Sequence, residues 1–532
     1  MPMVFLCVAE TLSSAAESIR FSEAEKQILN VSVDSVNVKV TWYVDNYVTL
    51  PNRPQDQKIN IYIPEGATKS SPIVFIVNNA GWRANAYPMN TIQDSRNYDG
   101  TADKIGVALK EKYVVVSYGA RSRADGASEG IYSGHSPATV TDTKAAIRYL
   151  RFNAEALPAG DTDKIIVTGT SGGGALSTLI AASGNSGDFL PYLYEIGAAG
   201  VIRNSDGSFK SEEGIGDNVF ACISYCPITD LGHGDAAYEW LFKDVREALY
   251  AEGKMHYPFA SQSAIMDASN YLSSSYEDYI DHLGLKDENG KALDSSNLRD
   301  FIARLMEKEI AESIDEFGVE RMTEDILGKG VRGGFGGPRG RRPAEPRENN
   351  GWISFNEDGS FEYDLSRHLL YVARYTALKP APAFSNIGLY QINMNEDDLF
   401  GSGTDDYCPF NPYSWDNDKL KNKVGKDDTG LSWDEFIETD AGKDLLLQIK
   451  MSCAMDYLLE GKSDSAPYWY VRHGMDDRDA SWAVEATLFA AVMNTDKVKG
   501  HNLGFAWLKP HSGDYDVPEA YSWLKGVLSA CN

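Results

Sequence analysis

The residues of this chain best suited to chemistry surround Ser171, in a segment that reads IIVTGTSGGGA over residues 165–175. A β-branched run leads into Gly-Thr-Ser-Gly-Gly, and a helix-compatible segment, ALSTLIAAS, follows. Gly-x-Ser-x-Gly between a strand and a helix is typical of a nucleophile elbow, a sharp turn that raises the serine hydroxyl above a sheet. Glycines are needed there because side chains would collide with neighbouring backbone. The pattern predicts that Ser171 attacks an acyl carbon, and a Gly/Ser-rich loop without chemistry is the alternative.

The elements around this serine predict an α/β fold. Two alternating runs precede six continuous apolar runs, which are typical of strands buried on both faces. A segment with helical spacing, residues 136–156, separates two of them. We therefore expect an α/β-hydrolase fold with a mostly parallel eight-stranded sheet and Ser171 after the fifth strand. The eight predicted strands are 36–44, 59–64, 73–79, 113–119, 164–169, 219–227, 468–474 and 503–509.

One interval interrupts the alternation of strands and helices. About 240 residues separate the sixth predicted strand from the seventh, far more than a normal connection between a strand and a helix. We expect a lid domain at 228–450, inserted into a hydrolase core formed by 1–227 and 451–532. The lid contains an amphipathic helix candidate at 295–318 and a Gly/Pro/Arg-rich segment at 328–351. For the latter, a flexible surface loop is favoured over an RGG-like nucleic-acid-binding segment.

A nucleophilic serine needs a histidine base and an acid that orients it, and in this fold they follow the serine in the order acid, then histidine. Three candidate acids, Asp476, Asp477 and Asp479, follow the seventh predicted strand. His511 follows the eighth, where the base is expected. His473 lies inside a strand run, which favours a core or supporting role. The remaining histidines stand at the wrong edge of the sheet or precede the acid loop: His135, His233, His256, His282, His368 and His501.

The negative charge that develops on the substrate also needs two backbone donors. The N–H of Gly172, directly after the serine, is one candidate. The second is expected in the loop after the third predicted strand, which reads NNAGW, and Gly81 allows close backbone approach there. An ordinary turn glycine is the alternative role for Gly81.

The composition limits the partners and cofactors of the chain. A net charge of −27 over 532 residues argues against nucleic acid and anionic membranes as partners, and no apolar run is long enough to span a bilayer. The six cysteines show no metal-ligand spacing, and Cys222 and Cys226 are expected to be buried thiols. We therefore expect no metal and no cofactor. The N-terminus lacks the basic segment of a signal peptide, which favours a cytoplasmic location, with secretion as the alternative if the N-terminus is truncated.

Several motifs together resemble those of the bacterial tannases, serine esterases that cleave galloyl esters. They are VNNAGW, GTSGGGA, the RHG…DRD run, KPHSGDYD and, in the insertion, 378–384 and 395–401. The resemblance implies that Asp477 completes the triad with Ser171 and His511. It also implies that Asp479, Lys379 and Glu396 contact the galloyl hydroxyls, with no cofactor required.

The chemistry of these side chains suits a galloyl ring, because carboxylates accept hydrogen bonds from phenolic hydroxyls and an ammonium group donates to them. Taken singly, each of the three is equally compatible with a solvated surface charge. The expected substrate is a small aromatic ester. The alternatives are a feruloyl or other aromatic-acid esterase, a serine peptidase of the same fold, and a hydrolase-fold protein that only binds ligand. The intact order of serine, acid and histidine argues against the last.

Overall fold

The computed structural model describes residues 19–23, 26–84, 102–328, 347–375, 377–390, 396–419 and 429–531. Within these ranges a nine-stranded sheet forms the centre of the structure, in the order β1-β2-β3-β5-β4-β6-β7-β8-β9. Its strands are Lys26–Val33 (β1), Val36–Asn46 (β2), Lys58–Pro64 (β3), Pro72–Val77 (β4), Val114–Tyr118 (β5), Asp161–Thr170 (β6), Ala221–Tyr225 (β7), Tyr468–Gly474 (β8) and Gly500–Ala506 (β9).

The strand directions confirm the predicted fold class. Strands β1, β2, β3 and β5 pair antiparallel, whereas β5, β4, β6, β7, β8 and β9 pair parallel. The parallel strands are covered on both faces, and all five residues of β5, VVVSY, are buried. This is the mostly parallel sheet of an α/β-hydrolase.

The sheet has one strand more than the eight predicted from the sequence. The additional strand, β1, joins β2 through a tight turn in which Asp34 and Ser35 both have positive φ, 47° and 65°. Most of the first half of β1 is exposed, so its sequence lacks a strong apolar pattern. Strand β9 also begins three residues before the predicted start, because polar residues His501 and Asn502 pair with β8 ahead of the apolar run.

Six helices of the described residues lie before β7 or after β8. The predicted helix at 136–156 is α2, in which every residue from Ala138 to Leu150 is buried. Its buried cations Lys144 and Arg148 pair with Asp217 at 2.8 and 3.2 Å, as buried charges require. The helices are Lys104–Lys110 (α1), Ala138–Phe152 (α2), Gly172–Ala182 (α3), Leu190–Glu195 (α4), Trp482–Asn494 (α15) and Val517–Ala530 (α16).

The segment between β7 and β8 is mainly helical and shares one continuous hydrophobic cluster with the sheet. The predicted helix at 295–318 is α7, which buries Phe301, Ile302, Met306 and Ile310 along one face. The helices are Leu231–Ala251 (α5), Gln262–Leu283 (α6), Leu298–Phe317 (α7), Val319–Ile326 (α8), Leu365–Tyr375 (α9), Ile387–Tyr390 (α10), Pro412–Asp416 (α11), Trp433–Phe436 (α12), Asp440–Lys450 (α13) and Ala454–Glu460 (α14).

Three short antiparallel strand pairs and two single 3₁₀ turns complete the described elements. The pairs are Asn79–Ala80 with Arg83–Ala84, Val201–Arg203 with Phe209–Ser211, and Ile353–Phe355 with Phe361–Tyr363, and the turns are Gly187–Phe189 and Glu396–Leu399. None of the described helices combines the length and apolarity needed to cross a membrane. The N-terminal segment 1–18 and most of the Gly/Pro/Arg-rich segment, 329–346, lie outside the described residues.

Candidate active site

Ser171 stands alone in the turn between β6, which ends at Thr170, and α3, which begins at Gly172. Its backbone has φ 61° and ψ −125°, a conformation that costs free energy for a residue with a side chain. The backbone packs so closely that a Cβ on Gly169 would lie 2.2 Å from the carbonyl oxygen of Gly173, and one on Gly173 would lie 2.5 Å from that of Val77. The glycines are therefore a steric requirement, and the geometry is that of a nucleophile elbow.

A chain of two hydrogen bonds connects this serine to a histidine and a buried aspartate. His511 Nε2 lies 2.8 Å from Ser171 Oγ, and His511 Nδ1 lies 2.7 Å from Asp477 Oδ2. The other oxygen of Asp477 accepts a hydrogen bond from the Asp479 backbone N–H at 2.7 Å. The arrangement orients the imidazole so that Nε2 can take the hydroxyl proton.

The two loops that carry the acid and the histidine are tied together by their backbones. Asp477 follows β8, His511 follows β9, and these neighbouring parallel strands end at the same edge of the sheet. Met475 N–H donates to Ala506 O at 3.0 Å and Asp476 N–H donates to Lys509 O at 2.9 Å. The sheet edge and these two bonds together fix the distance between acid and base.

The structure distinguishes the adjacent aspartates that the sequence left open. Asp476 forms a salt bridge of 2.7 Å with Arg347. Burial raises the pKa of Asp476 to about 6, although Arg347 opposes the shift. Burial also acts to raise the pKa of Asp477, but His511 and His473 reverse the shift and hold it well below its usual range. Asp477 is therefore the carboxylate that contacts the histidine and stays ionised.

The charge of Asp477 acts in turn on the histidine. Burial lowers the pKa of His511, but the Asp477 carboxylate outweighs it, so the pKa lies above its ordinary value. The Asp477 carboxylate therefore stabilises the protonated form of the imidazole relative to the neutral form.

Two backbone nitrogens face the start of α3, next to the serine. A Cβ on Gly172 would lie 2.7 Å from Gly81 N and 2.6 Å from Trp82 N. Gly81 and Trp82 both have positive φ, 56° and 60°, which turns the loop toward the helix terminus. The structure thus places the predicted Gly81 beside Gly172, and it adds the amide of Trp82, which the sequence did not single out.

Lys379 and the loop that carries Asp479 are joined through one tyrosine. Tyr238 Oη accepts from Lys379 N–H at 3.1 Å and donates to Arg478 O at 2.8 Å. The Lys379 ammonium lies 4.1 Å from the centre of the Phe384 ring, and the Asp479 carboxylate contacts the neighbouring Arg478. The segment between β7 and β8 is therefore directly connected to the loop that follows β8.

Glu396 lies in the same region and is 6% exposed. Its backbone N–H donates to Phe384 O at 3.2 Å, and its Oε1 is 3.7 Å from the position of a Cβ on Gly81. Burial raises the pKa of Glu396, whereas Lys379 and Arg123 oppose the shift. The structure thus brings Glu396 to the loop that faces the serine.

Arg123 is a residue of this region that the sequence analysis missed. It is 3% exposed, and its guanidinium lies 2.8 Å from Asp398 Oδ1 and 3.7 Å from Glu396 Oε1. Arg83, by contrast, lies 3.2 Å from Asp398, and its side chain is 47% exposed. The available signal was a charged residue shortly after the buried strand β5, at the strand ends where α/β folds place their sites.

A second imidazole, that of His473, lies next to Asp477. His473 Nε2 is 3.3 Å from Asp477 Oδ2, and His473 Nδ1 is 3.2 Å from Glu485 Oε1. The thiol of Cys226 is buried nearby and lies 2.9 Å from Tyr515 Oη. His473 is thus inside β8 as expected and contacts the acid directly.

A cleft of about 1470 Å³ opens at a different place, between α7, β9 and α16. Glu309, Arg472 and Trp507 are among the residues that line it, and neither Ser171 nor His511 is. This cleft is therefore separate from the site around Ser171 and His511.

The comparisons agree first on the class of protein. Residues 59–262 match the BD-FAE family model, which is an α/β-hydrolase family. No curated protein sequence matches the chain.

The solved structures that are similar to this chain belong to one kind of hydrolase. A tannase from Fusobacterium nucleatum is 27% identical, with a TM-score of 0.72 over 96% of this chain and 99% of that one. The native tannin acyl hydrolase from Lactobacillus plantarum, and a tannin acyl hydrolase in complex with ethyl gallate, are each 25% identical, with TM-scores of 0.69 over the same shares. The resemblance to tannases is therefore confirmed, and it supports a carboxylic-ester hydrolase of the tannase type.

Proposed function

We propose that this chain is a serine esterase that hydrolyses galloyl or related hydroxybenzoyl esters through an acyl-enzyme intermediate. The observation that carries the proposal is the hydrogen-bonded chain from Asp477 through His511 to Ser171 at the elbow, with distances of 2.7 and 2.8 Å. In this proposal, residues 228–450 form the lid, and 1–227 and 451–532 form the core.

In the first half of the reaction, Ser171 Oγ attacks the ester carbonyl carbon while His511 Nε2 takes the hydroxyl proton. Asp477 accepts the Nδ1–H bond and stabilises the imidazolium. The carbonyl oxygen becomes an oxyanion, which accepts from the N–H of Gly172 and from that of Gly81 or Trp82. The imidazolium then gives its proton to the leaving alcohol, and the acyl group stays on Ser171.

In the second half, water replaces the alcohol. His511 takes a proton from the water as its oxygen attacks the acyl carbon, and the same oxyanion donors act again. The imidazolium returns a proton to Ser171 Oγ as the bond to the acyl group breaks. The aromatic acid leaves and the resting site is restored.

Two lid residues and one residue of the loop after β8 supply the preference for hydroxylated rings in this proposal. Glu396 and Asp479 accept hydrogen bonds from phenolic hydroxyls, and Lys379 donates one. The link between Lys379 and Arg478 through Tyr238 supports this grouping, because it holds the lid next to the acid loop. Similar tannin acyl hydrolases have been solved in complex with ethyl gallate and with 3,4-dihydroxybenzoate, which supports the substrate class.

The serine mechanism is tested by removing the nucleophile and the acid. Ser171→Ala should fold and lose ester turnover by several orders of magnitude, together with labelling by a fluorophosphonate probe. Asp477→Asn should also lose most of its activity, whereas Asp476→Asn, its matched control, should retain far more because Asp476 contacts Arg347 and not the histidine. Normal turnover in folded Ser171→Ala would end the proposal.

The substrate class is tested with a panel of methyl esters. We expect kcat/KM to be higher for methyl gallate than for methyl ferulate and methyl benzoate. Lys379→Ala, Glu396→Ala and Asp479→Ala should each lower kcat/KM for methyl gallate by about 10- to 100-fold, since a ring hydroxyl loses its partner, and should change methyl benzoate much less. A higher kcat/KM for methyl ferulate would assign the site to another aromatic-acid esterase. If the three variants lose kcat/KM equally for methyl gallate and methyl benzoate, these residues do not bind the ring hydroxyls.

A further inference from the structure

Asp477 forms a compact group with two other side chains that can bind a metal ion, Cys226 and His473. Cys226 follows β7, His473 lies within β8, and the Cys226 N–H donates to Arg472 O at 2.8 Å, which holds the two strand ends together. One ligating atom each from Cys226, His473 and Asp477 lies within 4.8 Å of the other two. All three residues are fully buried.

The distances within this group suit a tetrahedral ion. His473 Nε2 and Asp477 Oδ2 are 3.3 Å apart. Two ligands bound to Zn²⁺ at about 2.0–2.1 Å in tetrahedral geometry are separated by about 3.3 Å. The thiol sulfur of Cys226 is the third candidate ligand atom, and it lies within 4.8 Å of the other two.

Two further features indicate that His473 is prepared to bind a ligand. Neither of its ring nitrogens makes an aligned hydrogen bond within the described part of the chain, although the residue is fully buried. Glu485 Oε1, also buried, lies 3.2 Å from Nδ1, on the opposite side from Asp477. A carboxylate behind a histidine is the usual support for a metal-ligating imidazole, because it orients the ring and raises its basicity.

We propose that Cys226, His473 and Asp477 form an inhibitory site for a soft divalent cation such as Zn²⁺ or Cd²⁺. The cation is held by the thiolate, by imidazole Nε2 and by carboxylate Oδ2, with Glu485 as the supporting carboxylate. The thiol loses its proton to solvent when the metal binds, so the affinity rises with pH. A thiolate ligand favours Zn²⁺ and Cd²⁺ over Mg²⁺ and Ca²⁺.

The inhibition follows from the identity of the shared atom. Asp477 Oδ2 is the oxygen that contacts His511 Nδ1 at 2.7 Å. A cation on that oxygen withdraws the acceptor from His511 and repels the imidazolium that forms during the reaction, so His511 becomes a weaker base. The His511 side chain next to Asp477 is 18% exposed, so solvent reaches the histidine while Asp477 itself stays buried. As an inhibitory site, this inference rests on the proposed function.

The test uses the full chain after dialysis against EDTA. We expect one Co²⁺ per chain with the charge-transfer absorption of a thiolate ligand, and Zn²⁺ should inhibit hydrolysis of methyl gallate and methyl benzoate alike, reversibly with EDTA. Cys226→Ser should lose the Co²⁺ band and raise the inhibitory Zn²⁺ concentration at least tenfold relative to its own metal-free rate. Glu485→Gln should weaken Co²⁺ binding about 10- to 100-fold, and this keeps the inference testable if Cys226→Ser does not fold.

The exposed Cys531 supplies the matched control, since Cys531→Ser should bind Co²⁺ and respond to Zn²⁺ as the unmodified chain does. Inhibition and a Co²⁺ band that persist in Cys226→Ser would overturn the inference. So would inhibition that disappears only in Asp479→Asn, because the metal would then occupy the separate group formed by Asp477, Asp479 and His511. If the chain shows no ester turnover, the proposed function fails, while the Co²⁺ band and its loss in Cys226→Ser still test the metal site.

Discussion

Replacing Arg123 by Met should reduce selectivity for galloyl esters by removing the buried positive charge beside Glu396. At 3.7 Å the guanidinium and the carboxylate attract each other by ~4 kcal/mol with an effective dielectric constant of 20, an upper limit for the net effect. Burial already raises the pKa of Glu396, and loss of Arg123 raises it further, so more Glu396 is protonated as the pH falls. A protonated carboxyl is a weaker acceptor for a phenolic hydroxyl.

The expected result is a fall in kcat/KM for methyl gallate of about 10- to 100-fold, equivalent to about 1.4–2.7 kcal/mol. The fall should be larger at low pH than at high pH, because Glu396 is more fully protonated as the pH falls. Methyl benzoate, which lacks ring hydroxyls, should change less than about threefold. The assay is kcat/KM for both esters between pH 5.5 and 8.5, with circular dichroism to verify folding.

Arg83→Met is the matched control, because the Arg83 side chain is 47% exposed and its salt bridge within the described residues is with Asp398. It should leave the selectivity for methyl gallate within about threefold of the unmodified chain. Equal losses on both esters in Arg123→Met would mean that Arg123 supports folding or the triad. A loss on methyl gallate that is the same at every pH would refute the role assigned to the charge of Glu396.

Two further predictions concern the backbone donors and the pH dependence of stability. Gly172→Ala should lower kcat by about 10²–10³, because its Cβ would lie 2.6 Å from Trp82 N and would displace a proposed oxyanion donor. Gly187→Ala is the control and should leave kcat unchanged, because a Cβ at that position meets open space. A normal kcat in Gly172→Ala would contradict the assignment of the donors. Burial raises the pKa of Glu309 from 4.5 to about 7. The protonated carboxyl therefore contributes about 3 kcal/mol to the free energy of unfolding below pH 4.5, and this contribution is lost as the pH rises through 7. At pH 8, urea unfolding should therefore show Glu309→Gln to be more stable than the unmodified chain. Glu312→Gln is the control and should show no such gain, because Glu312 is exposed. If the free energy of unfolding changes with pH in the same way in all three chains, the reasoning is refuted.

The elements closest to the serine could be predicted because local sequence determines them. Apolar runs predict the parallel strands, and the glycines around Ser171 predict the elbow, since at these positions backbone packing excludes any side chain. The position of His511 follows from strand order alone. Strand β1 was missed for the opposite reason, because its exposed side chains give a weak pattern and its pairing depends on the turn at Asp34 and Ser35.

The remaining features of the site depend on contacts between distant parts of the chain, which no local pattern encodes. Asp476 and Asp477 are adjacent and chemically identical, and they differ because Arg347 contacts the first whereas His511 and His473 contact the second. Each contact crosses the chain by tens of residues or more. Arg123 reaches Glu396 and Asp398 across an even longer separation. The sequence therefore locates Ser171 and His511 by position, whereas the environment of each carboxylate arises only when the segment between β7 and β8 folds against the edge of the sheet.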